Sequence, residues 1–385
     1  ARAFSVMTSG RPGPVHIEFP TDVMKLPADA ASFAMPEVQP QHPAAPDLEA
    51  AASFTAQAKK PAILIGGGAV RHAEAVLRFA EALDAPVIST TNARGIMAGH
   101  PLDVPASPSL GCVRDMLNQS DLVLALGTEL GPTDCDMYED GGFTLPANLV
   151  RVDIAEDQLA RGAHPALAIQ ADIGCFLQDM LADSKSWTRP PSDGSPRAAA
   201  LRELARAEIG DRYLGHIDLL QEIWQALPEA TLVGDSTQLV YAGNMYVAAP
   251  RPASWFNSAT GFGTLGYAAP GAIGAALGHP ARPVVALLGD GGFQFTLAEL
   301  GSARDCDADV AFLVWNNSGY MEIETSMEAS HITPIGVTPS APDFSAVAAA
   351  YGLPSRRVES RETLISALKD LPRPCLIEFV NGGSD

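Results

Sequence analysis

Two polar clusters in this sequence have the residue types and spacing for chemistry on a charged ligand. Gly289-Asp290-Gly291-Gly292 follows an apolar run at 284–288, and Asn316-Asn317-Ser318-Gly319 follows another at 310–315. Asp290 is a hard oxygen donor and Asn317 adds an amide oxygen, while glycines 289, 291 and 292 let backbone N–H groups approach an anion with no Cβ in the way. Such a set suits an octahedral magnesium ion held against a diphosphate. Taken singly, each cluster is also an ordinary turn. Placement distinguishes the two readings: both runs are short for helices and rich in β-branched residues. They therefore read as buried parallel strands whose C-terminal ends open into one crevice.

Other segments must be brought to that crevice. Gly234-Asp235-Ser236-Thr237-Gln238 follows an apolar stretch at 230–233, and its hydroxyls and amide can donate to phosphate oxygens or cap a helix. Gly261-Phe262-Gly263-Thr264-Leu265-Gly266-Tyr267 runs into a helix packed with small residues, where glycines allow close backbone contact with a flat ring and Leu265 is either a ring contact or plain core. Strands expected at 230–233, 254–256, 284–288, 310–315 and 375–380 alternate with helices at 267–277, 296–303 and 344–351, a parallel α/β pattern spanning 206–385.

Upstream, residues 51–183 read as a second doubly wound domain, with strands at 62–65, 86–88, 122–126 and 149–154. Gly66-x-Gly68-x-x-Arg71 lacks the third glycine of a dinucleotide loop, and the next strand ends in Ser89-Thr90-Thr91 with no acidic residue for a ribose, which argues against NAD. The Pro- and Ala-rich stretch 25–50 and the stretch 184–205, polar up to Pro196, are expected as linkers, with helices around 198–208 and 217–227 following the polar part. Residues 1–24 read as a helix ending at Gly10, a Pro/Gly turn and a strand at 15–19. His164, in Arg-Gly-Ala-His-Pro, reads as a loop residue.

Composition narrows the partners. The 385 residues carry a formal charge of −20, which disfavours nucleic acid and anionic membranes, and 47% are apolar without a run long enough to span a bilayer. The global field also repels a diphosphate, so such a ligand needs a local device of metal and glycine backbone. Five scattered cysteines without CxxC pairs suit a reducing cytoplasm. A phosphate loop with Gly-Lys-Ser or Gly-Lys-Thr, as an NTPase would need, does not occur.

Gly289-Asp290-Gly291, followed after 24 intervening residues by Asn316-Asn317, resembles the thiamine-diphosphate fingerprint of the acetolactate synthase, benzoylformate decarboxylase and pyruvate decarboxylase superfamily. The resemblance implies that Asp290, Asn317 and the Gly319 carbonyl hold Mg²⁺. It further implies that Ser236, Thr237, Gln238, Gly289, Gly291 and Gly292 face the diphosphate, that the Gly263 carbonyl receives the aminopyrimidine, and that Leu265 wedges between the cofactor's rings. Residues 51–183 resemble the central domain of acetolactate synthase-like proteins. The stretch Thr128-Glu129-Leu130-Gly131-Pro132-Thr133-Asp134 departs from the Arg and paired-Asp pattern associated there with FAD, so FAD is not expected. Residues 1–24 resemble the end of the pyrimidine-binding domain, whose catalytic glutamate would then be supplied in cis or in trans. The activity implied is decarboxylation of a 2-oxo acid. A carboligase of the acetolactate synthase type, or a non-catalytic cofactor-binding subunit, remains an alternative. A homodimer or homotetramer follows from the resemblance, because the family's cofactor lies between two subunits.

Beyond Asn317, the run Gly319-Tyr320-Met321-Glu322-Ile323-Glu324 looks like 5-guanidino-2-oxopentanoate decarboxylase. Glu322 and Glu324 would pair with a substrate's cationic tail, or they are solvated charges on a helix, and Glu322 is the one candidate catalytic residue.

Overall fold

The computed structural model describes residues 2–28, 37–135, 144–187 and 191–380. Two six-stranded parallel sheets form its two α/β domains. In the first, β1 (Pro61–Ile65), β2 (Val87–Ser89), β3 (Asp103–Val104), β4 (Leu122–Leu126), β5 (Leu149–Asp153) and β6 (Leu167–Gln170) lie in the order β3-β2-β1-β4-β5-β6. In the second, β7 (Thr231–Gly234), β8 (Trp255–Asn257), β9 (Val284–Gly289), β10 (Val310–Asn316), β11 (Ser355–Val358) and β12 (Cys375–Val380) lie in the order β11-β12-β10-β9-β7-β8.

The central strands are apolar along their whole length because both faces are covered. Ile63 and Ile65 of β1 enter a core with Phe79, Phe176 and Trp187, while the alternating Ala62 and Leu64 enter another with Leu117 and Leu201. In the second sheet Ala311, Leu313 and Trp315 of β10 pack toward the helix Asp211–Ala226, whereas Val310, Phe312 and Val314 pack toward the helix Ala268–Gly278. Each fully buried leucine or valine of these strands contributes roughly 2 kcal/mol.

Three features depart from the sequence expectations. The stretch at 15–19 forms no strand: no described strand lies beside it, and Ile17 and Phe19 are exposed. A strand without a ladder leaves its backbone groups to solvent. The helix expected around 198–208 runs over Gly194–Ile209, so it starts earlier within the linker 184–205, and it packs Ala198, Leu201 and Ala205 against the first sheet. The strands β3, β6 and β11 also go beyond the expected set: β3 is only two residues long, and β6 and β11 are partly exposed edges.

The two domains are clamped beside the start of the second sheet. Ala106 and Tyr246 form an antiparallel bridge, flanked by Ser107 N–H donating to the Met245 carbonyl (2.8 Å) and Val247 N–H donating to the Pro105 carbonyl (3.2 Å). Buried Arg94 donates to the Asn244 carbonyl at 3.1 Å. These contacts fix the C-terminal end of the helix Gln238–Met245, whose first residue belongs to the cleft described next.

Candidate functional site

The second sheet reverses its strand order between β7, which continues outward to β8, and β9, which continues to β10. A crevice forms at the carboxyl ends of strands at such a switch point. Ser236, Thr237, Gln238, Tyr241, Leu265, Gly289, Asp290, Gly291, Gly292, Asn317, Gly319, Tyr320 and Glu322 all line one cleft there.

β7 and β9 each end in Gly-Asp, yet the two carboxylates have different fates. Asp235 is fully buried; its Oδ1 accepts from Ser236 N–H at 2.8 Å and its Oδ2 from Gly266 N–H at 2.8 Å. Asp235 thus pins the glycine-rich 261–266 loop to the tip of β7. Burial raises its pKa, and these N–H groups oppose the rise. Asp290 is equally buried, but its Oδ2 has no hydrogen-bond partner among the described residues. Burial again raises the pKa, against backbone N–H groups that include those of Asn317 and Gly319. Leaving a buried carboxylate oxygen unpartnered costs free energy unless a cation completes it.

The paired asparagines after β10 also divide their work. Asn316 donates to Glu378 Oε1 on β12 at 2.7 Å, and its own Oδ1 accepts from Ser318 N–H at 3.0 Å. Asn316 therefore shapes the turn, in which Ser318 takes φ +65°. Asn317 turns into the cleft. One end of its amide sits 2.9 Å from the Gly319 carbonyl oxygen and 3.2 Å from Asp290 Oδ1; the other sits 3.2 Å from Gln238 Oε1. Nitrogen and oxygen of an amide are assigned from their neighbours. Turning nitrogen toward Asp290 would satisfy that side, but it would set Asn317 Oδ1 against Gln238 Oε1. Gln238 Oε1 is itself held by the indole N–H of Trp315 at 3.2 Å, and an indole only donates. The orientation in which every amide has a partner on the Gln238 side directs Asn317 Oδ1 at Asp290 and Gly319. Three oxygens then face one another without a proton between them, a donor set that a hard cation such as Mg²⁺ fits.

The remaining sequence-singled residues fall around this centre. Thr237 is the N-cap of the helix Gln238–Met245 without a side-chain cap bond, so the capping role considered for it is not the one its hydroxyl plays. Leu265 packs beside Gly292, at 3.4 Å from where a Cβ would stand. Gly263 sits at φ +64°, exposed, and reaches the site through Ser236 Oγ, which donates to its carbonyl at 3.4 Å. Of the two glutamates on the helix Met321–Ala329, Glu322 lines the cleft and its Oε1 is buried without a partner among the described residues; Glu324 does not line it. Tyr241, across the cleft, has its pKa raised by burial and, less strongly, by the charge of Glu322. His164 is an exposed loop residue. Sequence reasoning missed Asp235 and Trp315. The repeated Gly-Asp at two strand tips was a readable signal for the first; for the second, a tryptophan inside an apolar strand signals only core.

Residues 235–379 match the family model described as "Thiamine pyrophosphate enzyme, C-terminal TPP binding domain", and residues 48–180 match "Thiamine pyrophosphate enzyme, central domain". The chain thus belongs to the thiamine pyrophosphate enzymes and carries their central and C-terminal domains. Among its relatives is the "Probable 2-ketoarginine decarboxylase AruI" of Pseudomonas aeruginosa, 36% identical over 94% of this chain and 65% of that protein. The acetolactate synthase isozyme 1 large subunit of Escherichia coli is 28% identical over 97% of this chain and 68% of that protein. The chain therefore spans about two thirds of the length of these relatives. The fold is shared with the crystal structure of benzoylformate decarboxylase from Polynucleobacter necessarius (TM-score 0.79, 22% identity, 98% of this chain and 72% of that one). No helix among the described residues is long and apolar enough to cross a membrane.

Proposed function

We propose that the cleft binds thiamine diphosphate through Mg²⁺ and serves the decarboxylation of a 2-oxo acid bearing a cationic tail. The observation that carries this reading is the convergence of Asp290, Asn317 and the Gly319 carbonyl on one point, with Asp290 Oδ2 buried and unpartnered. Asp290, Asn317 and the Gly319 carbonyl would hold the cation, and Ser236, Thr237, Gln238 and the N–H groups of Gly291 and Gly292 would hold the diphosphate. When bound, the cofactor supplies the thiazolium carbanion that adds to the 2-oxo carbonyl so that carbon dioxide can leave. This chain's part would be to hold it: Leu265 would support the rings, and Asp235 fixes the loop that carries Leu265 and Gly263. A carboxylate to protonate the cofactor's pyrimidine would come from outside this set of residues, in cis or in trans. The assembly is then a homodimer or homotetramer in the cytoplasm.

Glu322 supports the substrate class. A half-buried carboxylate with an unpartnered oxygen at the cleft wall suits a guanidinium, which can take both its oxygens. The 36% identity to a relative named for 2-ketoarginine points the same way, ahead of the acetolactate-type carboligase reading.

Thermal unfolding with thiamine diphosphate and Mg²⁺ tests the binding. Saturation at about 100 times Kd adds about 2.7 kcal/mol, so Tm should rise by several degrees, and Asp290→Asn should abolish the rise. In turnover by the full protein, Glu322→Gln should reduce kcat/KM for 2-ketoarginine about tenfold or more while sparing pyruvate. Absence of any ligand-induced shift in the native chain would overturn the reading, and a preference for pyruvate or benzoylformate would remove the cationic tail from it.

A further inference from the structure

We propose that the indole N–H of Trp315 sets the polarity of the cleft by orienting two side-chain amides in series, Gln238 and then Asn317. This inference rests on reading the Asp290, Asn317 and Gly319 oxygens as a cation site. An indole nitrogen can only donate, so Gln238 must present Oε1 to Trp315 across 3.2 Å. The same Oε1 lies 3.2 Å from the Asn317 amide, which must therefore present its nitrogen there and its oxygen to Asp290 and Gly319. Without the indole, Gln238 and Asn317 can both turn over together. Asn317 would then donate to the Gly319 carbonyl at 2.9 Å and to Asp290 Oδ1 at 3.2 Å, satisfying the cluster internally and closing it to a cation. The indole thus decides between a self-satisfied network and an oxygen cage.

The same constraint acts on the anion side. With Oε1 committed, the end of Gln238 left for the cleft it lines is the Nε2 donor, the correct sign for a phosphate oxygen. One fixed donor in the core thereby gives one amide an oxygen for the metal and the other a nitrogen for the phosphate. The geometry holds the indole firmly: Trp315 stacks on Phe379 with centroids 4.8 Å apart and planes 5° from parallel, and His216 packs against it at 5.2 Å. Its backbone pairs with Gly289 of β9 on one side and Phe379 of β12 on the other, so its position is tied to the strand that delivers Asp290. Trp315 touches neither metal nor cofactor in this scheme and is a positioning residue.

Trp315→Phe keeps the stacking and removes the N–H; Gln238→Met breaks the series in the middle and leaves the indole in place. In the ligand-free chain, the Trp315 indole ¹H–¹⁵N resonance should shift upfield in Gln238→Met as it loses its acceptor; an unmoved resonance overturns the relay. In titrations with Mn²⁺ and thiamine diphosphate followed by Tm, both variants should bind about tenfold more weakly than the native chain. Asn317→Asp presents an oxygen whichever way it turns, so adding Trp315→Phe to that background should weaken binding clearly less than it does in the native chain, the remaining loss being that of the Gln238 donor, a non-additivity that a merely structural tryptophan would not produce. Equal, additive losses in both backgrounds overturn the relay while leaving the binding site intact. A native chain that ignores Mn²⁺ and thiamine diphosphate overturns the cation site itself, and the indole resonance still judges the series of amides.

Discussion

The two sheets share an architecture, and each reverses strand order next to a glycine-bearing turn, yet one tip is shut and the other open. At the first switch point, between β1 and β4, Gly68 N–H donates to the Gly127 carbonyl at 3.0 Å, and the turns after the two strands lie backbone on backbone. A Cβ on Gly66 would stand 2.3 Å from the Gly127 oxygen, and one on Gly127 would stand 2.8 Å from the Gly68 Cα. At the second switch point a Cβ on Gly289 would meet nothing nearer than Thr237 at 3.5 Å, and one on Gly292 nothing nearer than Leu265 at 3.4 Å, although one on Gly291 would stand 2.4 Å from the Tyr320 ring and one on Gly319 2.7 Å from the Val337 oxygen. The same residue type thus does opposite work. In the first domain glycine removes bulk so that protein can fill the crevice; in the second Gly289 and Gly292 leave the crevice open, and only Gly291 and Gly319 among its glycines make room for protein, the Tyr320 ring and the Val337 carbonyl.

The strongest way to break this comparison is to add one methyl group to the shut tip. In Gly66→Ala the new Cβ meets Gly127 O at 2.3 Å, Thr128 Cα at 2.5 Å and Thr128 Cβ at 2.7 Å, and the backbone that carries these atoms at a strand tip cannot swing aside. Overpacking of this kind typically costs 1–3 kcal/mol, and an obstructed backbone belongs at or beyond the upper end, about 3 kcal/mol or more. Chemical denaturation should show the midpoint falling sharply or soluble protein being lost. A variant as stable as the native chain would mean that the first crevice is open after all.

Buried charge extends the contrast and gives the next largest effect. Asp103 on β3 lies near Arg94 and Arg202, yet burial outweighs both and lifts its pKa to about 7. Because the folded state binds this proton more tightly than the unfolded one, Asp103 stabilises fully below about pH 4, and that contribution is lost as pH rises toward 7. A rise from 3.8 to about 7 corresponds to at most about 4 kcal/mol at 1.36 kcal/mol per pKa unit. Asp103→Asn should therefore gain on the native chain progressively between pH 4 and 7 in urea unfolding. A difference independent of pH would show that the two arginines fully offset burial. Asp290 differs from Asp103 in that the groups opposing the effect of burial are backbone N–H groups rather than arginines.

The sequence was most legible where burial is two-sided. β9 and β10 stand out because each of their residues from Val284 to Leu288 and from Val310 to Trp315 meets core, so no polar residue interrupts the run. β11, Ser355–Val358, was invisible because an edge strand tolerates Arg356 and Arg357 facing outward. The helix Gly194–Ile209 could be foreseen as a helix, but its apolar stripe does not say which sheet it will cover; it joins the first domain rather than separating the two. At the site, residue types announced the acidic and amide donors. The division of labour did not show in the letters: Asp235 pins a loop while Asp290 stays open, and Asn316 builds the turn while Asn317 faces the cleft. Those roles are fixed by which N–H groups reach each oxygen, a property of tertiary placement alone.

The smallest effect isolates space from backbone conformation. Gly127 and Gly263 have nearly the same dihedral, φ +60° and φ +64°, so an alanine at either site carries a left-handed penalty of roughly 1–2 kcal/mol. Only Gly127 also carries a steric one, because nothing lies within 4 Å of a Cβ built on Gly263. Gly263→Ala should therefore cost about 1 kcal/mol, and Gly127→Ala clearly more, when both are measured by denaturant midpoint at one pH. The difference between the two variants is the worth of the closed tip with the dihedral term cancelled. If the two losses were equal, crowding around Gly127 would relax without cost, and the shut crevice would be a matter of backbone preference rather than of packing.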